Sequence, residues 1–184
     1  KIINALQDLS PPIIHRDIKP ANIIRQKSNQ KLMLLDFGLA IDQTLDTMGH
    51  TIGVGSLGYQ APEQISGYPT LASDVYSTAV IAVEFLGRKS PKSMLQNQEL
   101  IWKDCILTVH TNWKKWLQKA LESEEERFQT AKEAWIALSQ LELNTPQNDS
   151  FEPTKKQEGE VEPKRKKRQE RKKILERFKG RNDD

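Results

Sequence analysis

One cysteine, Cys105, in 184 residues leaves no intramolecular disulfide, so any fold must rest on a buried core. Its expected state is that of a small apolar residue buried beside Trp102. Long apolar runs are missing as well. The longest candidate, Val75 to Leu86, is interrupted by Ser77, Thr78 and Glu84, and it falls short of the roughly 20 residues that a membrane-spanning helix needs. The sequence opens on Lys1, with no initiator methionine and no signal-peptide pattern after it, and is expected to begin inside a longer protein. A soluble chain in a reducing, cytoplasmic compartment is the reading these features give. At 36% hydrophobic residues, the chain has material for the core of one ordinary domain.

Positive charge is scarce in most of the chain. Residues 151–184 hold about 13 Lys or Arg against about 8 acids, whereas the first 150 are slightly acidic, so the basic balance belongs to the tail. Composition shifts to Asn, Thr, Pro, Gln, Asp and Ser after Leu143. We therefore place the domain over 1–143 and read 144–184 as a disordered, charged tail. In that tail Lys164 to Arg168 and Arg171 to Lys173 create a local positive field, weakened by Glu158, Glu160, Glu162, Glu170 and Glu176. A solvated tail is its first reading. A juxtamembrane segment with an anchor past Asp184 is the second, and nucleic-acid binding ranks last.

Within the domain, short apolar pieces come first and helices follow. Ile2, Leu6 and Leu9 share a helical face that Pro11-Pro12 ends. Ile13-Ile14, Ile23-Ile24 and Leu32 to Leu35 read as strands, the last two forming a hairpin across Gln26 to Gln30. Gly38 to Tyr68, rich in Gly, Thr and Ser, reads as a long functional loop. Asp74 to Leu86 is apolar almost all round, as expected of a helix buried at a domain centre. Trp113, Trp116, Leu117, Ala120 and Leu121 have the spacing of an amphipathic helix. Thr130 and Glu133 form a capping-box pattern for a last helix with Trp135, Leu138 and Leu141 on its apolar side.

Three motifs lie in order on this framework. His15-Arg16-Asp17-Ile18-Lys19-Pro20-Ala21-Asn22 comes first, and Asp36-Phe37-Gly38 follows a four-residue apolar strand 19 positions beyond Asp17. Ala61-Pro62-Glu63 ends 27 positions beyond Asp36, preceded by Gly55-Ser56-Leu57-Gly58-Tyr59. Taken alone, Asp17 reads better as an ordinary Asx-turn residue, and the bland alternatives are a helix cap for Asp74 and a solvated charge for Arg127. Together the motifs resemble the protein-kinase catalytic loop, the DFG triplet and the end of the activation segment at the family's spacings. The chain is similar to the Hanks-type serine/threonine kinases, bacterial members above all. Asp74-Val75-Tyr76-Ser77 resembles the start of their central helix, with Ala79 where Gly is usual, and Arg127 resembles the arginine that pairs with the APE glutamate.

The resemblance implies a mainly α fold, the α+β kinase fold reduced to its C-lobe, with helices around a central buried helix and short β-hairpins at the active site. It implies transfer of the ATP γ-phosphate to Ser or Thr hydroxyls of protein substrates, with ATP and Mg²⁺ as cofactors. Asp17 would orient the hydroxyl and accept its proton, and Lys19 would steady the phosphoryl charge. Asn22 and Asp36 would hold magnesium. His15, Arg16, Phe37, Gly38, Glu63, Asp74 and Arg127 would be supports. Ser56 is expected to contact Asp17 and Lys19, while Thr47 and Thr51 are the candidate phosphosites, with Arg16 as the dock for a phosphate. A Gly-rich loop, a strand lysine and a helix glutamate are not in this sequence, so the missing N-lobe is an expected partner and the isolated chain is expected to be inactive. The rival reading is a noncatalytic binding or scaffold module.

Overall fold

The computed structural model describes residues 1–43, 53–97 and 99–144. The first helix, α1 (Ile2–Gln7), stops at Asp8, short of the expected Leu9, which is exposed. A residue preceding proline is pushed out of the helical region, so the Pro11-Pro12 pair forces the chain to leave the helix before it. Strand β1 (Ile13–Ile14) follows, and a one-turn 3-10 helix at Pro20–Asn22 then leads into β2 (Ile23–Arg25). β2 and β3 (Leu32–Leu34) form the expected hairpin, with Ile23 opposite Leu34 and Arg25 opposite Leu32. β1 instead pairs with β4 (Ile41–Asp42), inside the stretch read as loop. A two-residue pairing leaves no alternation to detect. The same stretch holds the one-turn helix α2 (Pro62–Ile65).

The centre of the fold is α3 (Leu71–Gly87). It begins at Thr70, whose amide donates to the Ser73 hydroxyl at 3.0 Å, and Asp74 lies in its first turn instead of capping it. Residues Ala72 to Tyr76, Ala79, Val80 and Val83 are buried, but Phe85 is 69% exposed and Leu86 45%. The helix is buried at the centre as expected, but Phe85 and Leu86, counted on its apolar surface, are exposed. The last turn runs past the core and closes on Arg88 in the left-handed conformation.

Around α3 pack a one-turn helix α4 (Pro91–Met94), the hairpin β5 (Leu95–Gln96) and β6 (Glu99–Leu100), and a 3-10 turn at Lys103–Ile106. Helices α5 (Thr111–Ala120) and α6 (Ala131–Asn144) complete the set. Ile106, Trp116, Leu117, Ala120 and Phe128 join Val75, Ala79, Val80 and Val83 in one core. Burying a side chain such as Leu117 stabilises the fold by about 1.5–3 kcal/mol. The Trp116 indole nitrogen donates to the Ala134 carbonyl at 2.9 Å, tying α5 to α6 without stranding a polar atom.

Two further expectations change. Cys105 is half-buried, lying against α3 where a side chain at Gly87 would come within 2.9 Å of its Cβ. Trp135 sits at the rim of α6 beneath the Lys1 ammonium, 4.8 Å from its ring, and Ala134 faces the core in its place. At the start of α6 the Thr130 hydroxyl accepts from the Glu133 amide, while the Glu133 carboxylate reaches back to the Gln129 amide.

Candidate functional site

Strand β1 delivers His15 into the interior, where it has no exposed surface. Its Nδ1 accepts from the Asp17 amide at 3.4 Å and its Nε2 donates to the Leu35 carbonyl at 3.2 Å, an arrangement that uses the neutral ring. Burial lowers its pKa, and the Leu35 bond with the Asp17 and Asp36 charges only partly offsets that. Arg16 turns the chain with φ 66°, a conformation costly for a residue with a Cβ. The Asp74 carboxylate holds that turn, accepting from the His15 amide at 2.8 Å and the Arg16 amide at 3.0 Å. Complete burial pushes Asp74 up to about 6 against those two donors and the nearby Arg16 charge. The Arg16 Nε donates to the Leu39 carbonyl.

The turn presents Asp17, which is 6% exposed. Its Oδ1 accepts from the Ser56 hydroxyl at 2.8 Å, and its Oδ2 accepts from Lys19 Nζ at 2.7 Å and Asn22 Nδ2 at 3.0 Å. Lys19 Nζ also donates to Ser56 Oγ at 2.7 Å, and Asn22 Nδ2 to the Asp17 carbonyl at 2.8 Å. Burial alone would raise the Asp17 pKa. Hydrogen bonds from Lys19, Ser56 and Asn22, with the Lys19 charge, outweigh it and hold the carboxyl below its usual range, so it is ionised at neutral pH. Asp17, Lys19, Asn22 and Ser56 thus form one network. Three donors occupy three of about four lone-pair positions on the carboxylate, leaving room for one more hydroxyl.

Asp36 begins the turn after β3, with φ 61° and an exposed side chain whose Oδ1 accepts from the Gly38 amide at 3.2 Å. The Leu35 amide donates to the Asn22 carbonyl at 2.8 Å, which brings Asp36 beside the catalytic loop. Phe37 stands edge-on to the His15 ring at 4.9 Å and is half exposed, not packed beneath another element. Asn22 spends its amide nitrogen on Asp17, leaving its side-chain oxygen as the end suited to a cation, and Asp36 offers carboxylate oxygens. These are the hard oxygen donors magnesium takes. A site with one carboxylate and one amide suits an ion that arrives on phosphate oxygens. Thr47 and Thr51 lie outside the described residues, as does the basic tail.

Away from Asp17 stands a second assembly. Glu63 Oε1 is 2.7 Å from Arg127 Nη1, and both side chains are nearly shut from solvent. The same guanidinium donates to the carbonyls of Glu122 and Ala72 and lies over the Tyr76 ring at 4.8 Å. Ser73 donates to Glu63 at 2.6 Å. The pair ties α2 and α3 to the segment before α6.

Sequence reasoning did not single out Ser73, Gln64, Gln7 or the Tyr59–Glu84 contact, in which the phenol donates to the carboxylate at 2.6 Å. Burial and the Glu84 charge raise the Tyr59 pKa. The partners of both glutamines are backbone carbonyls and amides distant in the chain, which no local pattern marks.

A catalytic loop braced from a central helix, carrying an Asp bonded to a Lys and an Asn, with a DFG aspartate on the adjoining turn, is the arrangement of a phosphotransferase of the kinase class. Residues 1–158 match the protein kinase domain family, and the chain belongs to it. Its relatives are protein serine/threonine kinases. The chain is 38% identical over 142 residues to serine/threonine-protein kinase B of Synechocystis, covering 70% of this chain and 25% of that protein. It is 34% identical over 140 residues to serine/threonine-protein kinase PknA of Nostoc, with 70% and 25% covered. Serine/threonine-protein kinase PBL13 of Arabidopsis thaliana is 46% identical over 94 residues, 49% of this chain and 19% of that protein. The chain therefore spans about a quarter of the length of the curated relatives it matches first. Kinases of this family use ATP and Mg²⁺ and act on proteins.

Proposed function

We propose that this chain is the C-lobe of a serine/threonine protein kinase that transfers the ATP γ-phosphate to Ser or Thr hydroxyls of proteins. The observation that carries the reading is the Asp17 carboxylate, whose Oδ1 already accepts a serine hydroxyl, that of Ser56, at 2.8 Å. A substrate hydroxyl taking the remaining lone-pair position would be oriented by Asp17 and would give up its proton to it. Lys19 Nζ, between Asp17 and Ser56, supplies positive charge where phosphoryl charge would pass. The side-chain oxygens of Asn22 and Asp36 would hold magnesium. Mg-ATP, when bound, supplies the electrophilic phosphorus.

Activity is proposed to need an N-lobe supplied outside this sequence. Leu32, Met33, Leu35 and Phe37, close to Asp36 in sequence, are large apolar side chains left exposed, as residues that a partner lobe covers would be. We place this kinase in the cytoplasm, with Thr47 and Thr51 as candidate activating phosphosites; the tail reads first as a solvated segment and second as a link to a membrane anchor.

In a kinase carrying this lobe, Asp17→Asn should lower kcat by on the order of 10²-fold or more with Mg-ATP affinity nearly unchanged, whereas Asp36→Asn should weaken Mg-ATP binding. Titration of both variants with Mg-ATP separates the roles. The assignment fails if Asp17→Asn abolishes nucleotide binding or Asp36→Asn leaves both binding and turnover intact.

A further inference from the structure

One side chain joins the loop before α2 to the catalytic loop. Gln64, in α2 and 2% exposed, donates from its Nε2 to the Arg16 carbonyl at 2.6 Å and the Val54 carbonyl at 2.8 Å. An NH₂ group offers two donors from a single point, and here both face main-chain oxygens from segments far apart in sequence. The opposite amide orientation would set oxygen against two oxygens. Between the two carbonyls lies Gly55, at φ 118°. A Cβ there would come within 2.7 Å of Gln64 Nε2, 2.8 Å of the Arg16 carbonyl and 3.2 Å of Gln60 Cγ. Residue 55 therefore admits no side chain while the contact is closed. On one flank of the contact Ser56 donates to Asp17, and on the other Arg16 makes the left-handed turn that presents Asp17.

We propose that Gln64 is a positioning residue for the catalytic loop: its amide clasps the carbonyls of Arg16 and Val54 and so holds Ser56 against Asp17. The geometric claim stands on the contacts, and its consequence for turnover rests on the kinase reading. Gln64→Met keeps the length of the side chain and removes both donors, and Gln64→Glu sets a carboxylate against two carbonyls.

Amide hydrogen exchange on the full chain tests the clasp. In both variants, exchange across residues 54–59 should quicken by about tenfold or more while amides of the α3 and α5 core keep their protection. If Gln64→Met does not fold, Gly55→Ala wedges the same contact from the loop side and should give the same local pattern. A kinetic arm uses a kinase carrying this lobe. There Gln64→Met and Ser56→Ala should each lower kcat roughly tenfold with KM for ATP unchanged, and the double variant should lose little more than the worse single one. A merely structural glutamine would lower the melting temperature, and its loss would multiply with that of Ser56→Ala. Unchanged exchange at 54–59, or multiplying losses, overturns the proposal. A wild-type kinase without transfer would instead refute the functional reading, and the exchange arm would still decide the clasp.

Discussion

Asp17 on the catalytic loop and Asp74 in the first turn of α3 beneath it are both buried carboxyls, and their surroundings push them in opposite directions. Burial disfavours the charge on each, but Asp17 has an ammonium and two further donors at its oxygens, and Asp74 has two backbone amides in a fully enclosed place. The first is held down and the second is pushed up to about 6, from an ordinary value of 3.8. Between those two pH values the folded chain binds the proton that the unfolded chain has released. The stability Asp74 contributes is therefore fully present below about pH 4 and is lost as pH rises through about 6, by about 3 kcal/mol. His15, whose pKa is lowered, acts oppositely, since its contribution is lost as pH falls below its ordinary value. A carboxyl ¹³C titration of Asp74 should show an inflection near 6, and Asp74→Asn should remove that part of the pH dependence of unfolding. An Asp74 titration at the ordinary carboxyl value would contradict the account. The motif residues were legible because the family's chemistry places them on contiguous loops. Gln64 and Gln7 were not. Gln7 donates to the Leu71 carbonyl, 64 positions away, and accepts from the Ala131 amide, 124 positions away, and only the folded chain brings such partners together.

Among elements, the critical attachment is the one between α2 and the segment leading into α6. Arg127 meets Glu63 across 64 positions, with the shorter contact at 2.7 Å and a second at 3.4 Å. Its remaining donors are spent on carbonyls, so the buried charge is satisfied at every point. Because both side chains are buried, removing either partner should cost roughly 3–5 kcal/mol by stranding the other charge. A double-mutant cycle with Glu63→Gln and Arg127→Met, followed in denaturant, should give strongly non-additive losses, and additive losses would mean that the pair carries no coupling in solution. Long elements were legible by period: α5 keeps its apolar stripe, and α3 was found although its final turn leaves the core. The strands β4, β5 and β6 were not, because a two-residue pairing has no period and depends on a partner that local sequence does not name.

For the molecule as a whole, α3 is the beam on which both assemblies hang. Its first turn supplies Asp74 to the catalytic loop and Ser73 to the Glu63–Arg127 pair, so the loop that carries Asp17 and the segment that carries Ser56 are referred to one rigid element. That shared reference is the physical reason three separated motifs can act as one site. The apolar side chains on either side of Asp36 are exposed, and on the proposed reading a second lobe would hold a nucleotide against Asp36. The most direct measurement is transfer of labelled γ-phosphate to protein serine or threonine, compared for this chain alone and for the chain joined to a kinase N-lobe. No measurable transfer is expected from the chain alone, and transfer by the joined protein should fall by on the order of 10²-fold or more in Asp17→Asn. Robust transfer by the chain alone, or transfer by the joined protein that does not depend on Asp17, would overturn the assignment of Asp17 and of the lobe.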